Sequence, residues 1–273
     1  MDTKEKALNI RLSILKMLTK AGSGHTGGSM DLADIFAVLY FKHLNYNIDN
    51  QYDEDRDRVV LSIGHTAPVL YATLAEAGFF PKEELLTLRD FGSRLQGHPS
   101  KDFNLPGVET SAGSLGQGLS IALGMALAAK MDNKKHRIYC IMGDGELQEG
   151  SVWEAAMAAA HHKLDNLCAV VDRNRLQIDG DTENVMSLEP LNAKWKSFGW
   201  YVIDIDGHNH NQIAAAFSKA KLIKDKPVLV VANTVMGKGV KSIENNCKWH
   251  GKVPDKQQLY SFIEELYKQY CVS

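Results

Sequence analysis

Five short apolar runs constrain this chain more than any other feature: "RVVLSIGH" (58–65), "RIYCIMGD" (137–144), "LCAVVDRN" (167–174), "YVIDIDGH" (201–208) and "PVLVVANT" (227–234). Each is continuously apolar, not alternating, as expected for a strand covered on both faces. Helical patterns lie between them: "GLSIALGMALAAKM" (118–131), "SVWEAAMAAAHHKL" (151–164) and "NQIAAAFSKAKLIK" (211–224). Strands that alternate with helices of this length predict a parallel sheet built by right-handed crossovers, with helices on both faces. The N-terminal third reads as mainly helical and joins the same layers. With no internal repeat or linker, the expectation is one α/β domain over residues 1–273.

In such a sheet, ligands bind just beyond the carboxyl ends of the strands. Here the runs end on Gly64-His65, Gly143-Asp144-Gly145, Asp172-Arg173-Asn174, Gly207-His208 and Asn233-Thr234, which makes these ends candidates for one rim. Asp144 follows a buried run and sits between two glycines, with Glu146 and Glu149 close behind. A phosphate site favours positive charge or bare amides, so carboxylates there raise a problem of sign. A carboxylate and the Asn174 amide oxygen, on consecutive strand ends, are hard ligands suited to magnesium or calcium, which also takes phosphate oxygens. A backbone carbonyl after Asn174 supplies a third ligand. The alternative is that Gly-Asp-Gly is only a tight turn and Asn174 only a cap.

The charge excludes some partners. A net charge of −2, with no basic stripe, offers no footprint for nucleic acid. Cys140, Cys168, Cys247 and Cys271 show no C-x-x-C spacing, and two sit inside apolar runs, which points to free thiols in a reducing compartment. The charged N-terminus does not read as a signal peptide, and no uncharged run approaches the roughly 20 residues that span a bilayer. The expected location is the cytoplasm, away from membranes.

The stretch "GDGELQEGSVWEAAMAAAHHKLDNLCAVVDRNRLQIDG" resembles the thiamine-diphosphate motif of transketolases. The resemblance covers nearly the whole chain. "AGSGHTGGSMDLADIF" (21–36), "LSIGHTAPVLYA" (61–72), "LQGHPS" (95–100), "TSAGSLGQGLSIALGMALA" (110–128) and "NCKWHG" (246–251) are similar to further motifs of that family, in order. The resemblance implies thiamine diphosphate held through a magnesium ion, with calcium or manganese as alternatives. Asp144, Asn174 and the carbonyl of Leu176 would be the metal ligands, and Gly145 would admit the diphosphate without a Cβ in the way. Gly113, Ser114 and Leu115 match the loop beside the aminopyrimidine, before a helix opening near Gly116 with free amides. Ile178 matches an apolar position near the thiazolium. Glu149 matches an acid of a network between active sites, and Glu146 is left as a solvated loop charge.

Of ten histidines, His43, His136, His161 and His162 carry no motif and read as surface or packed residues. His25, His65, His98 and His250 each lie in a glycine-flanked turn, where a side chain can be aimed at a ligand. By resemblance His65 and His250 face the diphosphate region, His250 also taking part in catalysis, while His25 and His98 face substrate hydroxyls. Imidazoles can donate or accept there while protons move. None of the four has the ligand spacing of a transition-metal site. Two positions depart from the family pattern. Thr26 stands where proline is common, and Met236 stands where many transketolases carry lysine, with Lys238 and Lys241 nearby but not matching.

The resemblance reaches only the diphosphate-binding module of a transketolase. The pyrimidine-binding half, with its activating glutamate, has no counterpart in these residues. The chain is therefore expected to be the N-terminal subunit of a split transketolase. Its expected partner is a C-terminal transketolase subunit, with self-association giving a two-plus-two assembly. Its substrates would be sugar phosphates, a two-carbon ketol unit passing from ketose to aldose as in the pentose phosphate pathway. Alternatives are another thiamine-diphosphate enzyme (deoxyxylulose-phosphate-synthase-like, or a specialised-sugar ketolase) and a non-catalytic cofactor-binding module.

Overall fold

Each apolar run forms a strand shorter than the run itself, because its last polar residues turn out of the sheet. The computed structural model describes residues 2–270, so Cys271 lies outside the described residues. The strands are β1 (Arg58–Leu61), β2 (Ile138–Gly143), β3 (Leu167–Arg173), a small antiparallel pair β4 (Leu176–Gln177) and β5 (Gly180–Asp181), β6 (Tyr201–Asp206) and β7 (Val228–Asn233). The main sheet runs β1-β2-β3-β7-β6 and every pair in it is parallel. Gly143 is level with Asp172, and Arg173 with Asn233, so these strand ends open onto one edge.

The helices are α1 (Thr3–Ala21), α2 (Gly27–Asp31), α3 (Ala33–Val38), α4 (Ala67–Glu76), α5 (Gly118–Met131), α6 (Gly150–His161), α7 (Thr182–Val185), α8 (Leu191–Ser197), α9 (His210–Leu222) and α10 (Lys256–Tyr270). Successive strand residues enter opposite cores, which is why the runs are continuously apolar. Tyr139, Ile141, Cys168 and Val170 pack with α1, α3, α4 and α9, whereas Ile138, Cys140, Met142, Ala169 and Val171 pack with α5, α6 and α8. Cys140 and Cys168 are buried free thiols. Strand β6 departs from the expectation of two covered faces. At the sheet edge, its Tyr201, Asp204 and Asp206 are exposed. Among the described residues no helix is long and apolar enough to cross a membrane.

This topology makes a crevice. The chain leaves β1 and β7 toward the core holding α4 and α10, but leaves β2 and β3 toward the core holding α6 and α8. Connections that diverge to opposite faces leave a gap above the strand ends. The N-terminal segment closes one side of that gap. Helix α1 starts at Asp2, whose side chain accepts the Lys4 N–H, and stops at Gly22 in the left-handed region (φ 65°). The short turn that follows delivers His25 to the crevice and starts α2.

Candidate active site

A cavity of about 350 Å³ fills the crevice, lined from β1 by Ile63 and His65, from β2 by Gly143 to Glu146, from β3 by Asp172 and Asn174, and from beyond β7 by Met236. Gly28, Leu115, Glu149, Leu176, Ile178 and His250 complete its walls. Nine of the sequence-derived site residues therefore share one space: His65, Leu115, Asp144, Gly145, Glu149, Asn174, Leu176, Ile178 and His250.

One wall is built of carboxylates and an amide. Asp144 is buried; its Oδ1 accepts the Gly145 N–H at 2.7 Å, and its Oδ2 accepts the Arg175 N–H at 2.7 Å and the Arg173 guanidinium at 3.0 Å. Burial pushes the Asp144 carboxyl up, and Arg173 with the two amides opposes that rise without cancelling it. Asn174 donates through Nδ2 to Asp31 (3.0 Å) and Asp172 (3.3 Å), and its Oδ1 accepts the Leu176 N–H at 2.9 Å. Thr234 hydrogen-bonds the other oxygen of Asp172. Asp31 and Asp172 are both buried; burial first, and then the charge of Asp172, holds the Asp31 carboxyl well above its ordinary value, while burial first, with the charge of Asp144, pushes Asp172 up to about 7 against the opposing hydrogen bonds from Thr234 and Asn174.

The other wall carries the imidazoles of His65 and His250; His25 packs against both rings without itself lining the cavity, and His98 does not line it either. The rings of His25, His65 and His250 form a triangle with centroid separations of 4.9, 5.1 and 5.6 Å. Burial first, then the neighbouring histidines, brings His65 down to about 3 and His25 to about 4; Arg89 adds to the effect on His25. His250 is lowered by burial, and the exposed His98 by partial burial and Arg89. All four are neutral at physiological pH, so each ring offers one donor and one acceptor. The Nδ1 atoms of His25 and His250 are buried without a partner.

Residues 3–266 match the family described as transketolase, thiamine diphosphate binding domain. The chain belongs to the transketolase family. A relative from Phocaeicola vulgatus, named as a subunit of apulose-4-phosphate transketolase, is 43% identical over 256 residues, covering 94% of this chain and 90% of that one. A 6-deoxy-6-sulfo-D-fructose transketolase subunit from a Clostridium species is 42% identical, covering 98% of this chain and 97% of the relative. The Campylobacter jejuni transketolase structure superposes with a TM-score of 0.90 at 35% identity, over 99% of this chain but 43% of that one. The chain thus spans nearly all of the subunits it resembles and about two fifths of a single-chain transketolase. It is of the N-terminal, thiamine-diphosphate-binding type.

Several sequence expectations change in this transketolase-type site. Glu146 is not a solvated loop charge: it is 1% exposed and accepts hydrogen bonds from the Ser62 hydroxyl, the Gly116 N–H (2.7 Å) and the Gly143 N–H (3.2 Å). The first amides of the α5 turn are accordingly not free, since Glu146 takes that of Gly116 and Ser62 Oγ that of Gly118 (3.0 Å). Gly113 and Ser114 do not line the main cavity; they line an adjoining one of about 270 Å³ beyond the same loop. Gly116 has φ 84°, and a Cβ there would fall 2.7 Å from that of Glu149, so both backbone and space demand glycine. Glu149 itself is exposed at the rim, as is Ile178. His208 leaves the rim altogether, donating from Nδ1 to Asp34 (2.8 Å) and accepting the Val235 N–H at Nε2 (2.9 Å).

Asp31 and Thr26, to which the sequence assigns no site role, support the walls from outside the cavity lining, and Asp172 of the predicted rim supports them from within it. Asp31 and Asp172 hold Asn174, and Thr26 donates its hydroxyl to the Lys252 carbonyl at 2.6 Å, joining the His25 turn to the His250 segment. Met236 is buried, and a Cβ on Gly27 would fall 2.7 Å from its Cγ, so it forms an apolar patch of the wall.

Proposed function

We propose that this chain, residues 1–273 acting as one diphosphate-anchoring unit, is the cofactor-binding half of a two-chain transketolase that moves a two-carbon ketol unit between sugar phosphates. The observation that carries the reading is the convergence of Asp144, Asn174 and Leu176 with His65 and His250 on one cavity. The residues fit a metal-bound diphosphate. Asp144 and Asn174 are hard oxygen donors, the histidine wall has buried nitrogens without partners, and the wall at Gly145 has no side chain.

In this reading Asp144, Asn174 and the Leu176 carbonyl would hold a divalent cation, magnesium first, with calcium or manganese able to replace it. The negative charge then faces the cation and not the phosphate, which settles the problem of sign. His65 and His250 would donate to the diphosphate, Leu115 and the exposed Ile178 would offer apolar surface to the ring system, and the Gly113-Ser114 loop, which lines the adjoining cavity, would flank it. Thiamine diphosphate, when bound, supplies the nucleophilic carbon and the electron sink for carbon–carbon cleavage. His25, His98 and His250 hold or move protons at substrate hydroxyls, which neutral imidazoles can do without a prior titration. Glu149, at the rim, faces the second chain, which supplies the pyrimidine-binding half; self-association then gives a two-plus-two assembly.

Both subunit relatives carry names of unusual sugars, and Met236 replaces a cation near the cavity, which favours a specialised ketose over the common pentose phosphates. The test is ketol transfer by the purified chain, alone and with a pyrimidine-binding transketolase chain. Negligible transfer from xylulose 5-phosphate to ribose 5-phosphate by the chain alone is expected, with activity restored by the pair on a panel of ketose phosphates. Ordinary turnover by the chain alone would overturn the two-chain reading.

A further inference from the structure

Asp31 is a fully buried carboxylate that the chemistry above does not use. It closes α2, six residues after His25, and no salt bridge to it forms among the described residues; Arg11 acts on it only at longer range. Burying a carboxylate without a cation costs several kcal/mol, and an apolar residue would pack α2 at less cost. Such a group persists where it does something that an apolar side chain cannot.

What it does is visible at Asn174. The amide has two chemically different ends within one side chain, and only the oxygen can serve a cation. Asp31 Oδ2 accepts from Asn174 Nδ2 at 3.0 Å, while Asp172 Oδ2 takes the second Nδ2 hydrogen at 3.3 Å. Turning the amide over would set Oδ1 against the Asp31 and Asp172 oxygens that now accept from Nδ2, and would leave the Leu176 N–H without its acceptor. The Leu176 N–H, 2.9 Å from Oδ1, fixes the other end. Asp172 is itself held by Thr234, so Asp31 is the arm of the clamp that comes from a separate segment. The second oxygen of Asp31 has no partner and lies 3.9 Å from where a Cβ on Gly28 would sit, beside the cavity.

We infer that Asp31 is a positioning residue that fixes the amide of Asn174 with its oxygen toward the cation, and so fastens the His25 segment to the metal wall. The inference rests on the proposed metal-diphosphate reading and adds a residue to it. It predicts that an acceptor at position 31 matters and that a negative charge does not.

The experiment is metal-dependent binding of thiamine diphosphate to the purified full-length chain, read by calorimetry and by the electron paramagnetic resonance signal of free manganese, with no turnover required. Asp31→Asn keeps an acceptor and should bind within about threefold of the parent. Asp31→Leu is of similar size without an acceptor and should bind at least about tenfold more weakly, about 1.4 kcal/mol. If the leucine variant does not fold, Asp31→Ala carries the same expectation, and thermal unfolding of each variant separates folding from binding. Parental affinity in a folded Leu or Ala variant overturns the inference, and so does an equal loss in Asp31→Asn. Asp144→Ala is the control: if it also leaves binding unchanged, the metal reading has failed, and not merely the role of Asp31.

Discussion

The two walls of the cavity are built on opposite principles. On the carboxylate wall, both oxygens of Asp144, of Asp172 and of Glu146, and the oxygen and nitrogen of Asn174, are engaged by neighbouring groups of the chain itself. On the histidine wall, two buried nitrogens have no partner and His98 is exposed. Apart from one oxygen of Asp31, the first wall is finished by folding, so its geometry is in place before any ligand arrives. The second is finished only by what binds there. An anchor for a cation needs fixed distances, whereas groups that follow a reacting substrate need spare donors and acceptors.

The largest expected effect tests whether the first wall is held as described. Glu146 ties the end of β1 (Ser62), the end of β2 (Gly143) and the α5 turn (Gly116) to one carboxylate. Glu146→Ala strands several buried donors, at about 1–3 kcal/mol each, so a total loss of about 3–5 kcal/mol is expected in urea unfolding. Glu146→Gln keeps an acceptor for Ser62 and Gly116 but turns an amide toward the Gly143 N–H, and should lose about 1–2 kcal/mol. An alanine variant as stable as the parent would show that the wall is not braced through this residue.

Glu146 also shows where the sequence stops being legible. Its neighbours in the chain are polar and acidic, so it reads as a loop charge. The partners that bury it lie 84 and 30 residues away, at Ser62 and Gly116. The metal-side residues Asp144 and Asn174 are readable because strand ends in a parallel sheet share an edge by topology alone. Asp31 is not, because its meaning depends on a side chain 143 residues distant. The helix 118–131 is legible to the residue, since its glycine turn and apolar period are local signals. Strand β6 reads as covered on both faces and is not; the alternation Ile203-Asp204-Ile205-Asp206 is the local signal that one face of this edge strand meets solvent.

The second test uses pH, to which the two walls respond with opposite sign. The folded state holds His65 at about 3 and His25 at about 4, below the unfolded value of 6.5. Between those values the unfolded chain binds more protons, so stability falls as pH drops from 6.5 toward 4. The buried carboxyls of Asp144 and Glu146 are raised, and contribute in the opposite direction below neutrality. His65→Asn removes one depressed imidazole, whose facing groups are His25, His250 and His98. The melting temperature of that variant should fall less steeply than that of the parent between pH 6.5 and 4. A parallel pair of curves would mean that His65 titrates normally and that the wall is wetter than its packing indicates.

The smallest effect concerns the join between segments on the histidine wall. Thr26 is fully buried, and its hydroxyl reaches the Lys252 carbonyl at 2.6 Å, with His25 on one side of that bond and the His250 segment on the other. Valine has nearly the same shape but no donor, so Thr26→Val should cost about 1 kcal/mol, the net value of one hydrogen bond. The more informative readout is local. With the join loosened, water reaches His25 and its neighbours separate, so its pKa, followed by NMR titration, should rise from about 4 toward 6.5. The carboxylate wall shares no hydrogen bond with Thr26, so metal-dependent binding of the diphosphate should change less than the histidine titration does. A loss of metal binding equal to that of Asp144→Ala would mean that the two walls are one cooperative unit, and that the division between them is only geometric.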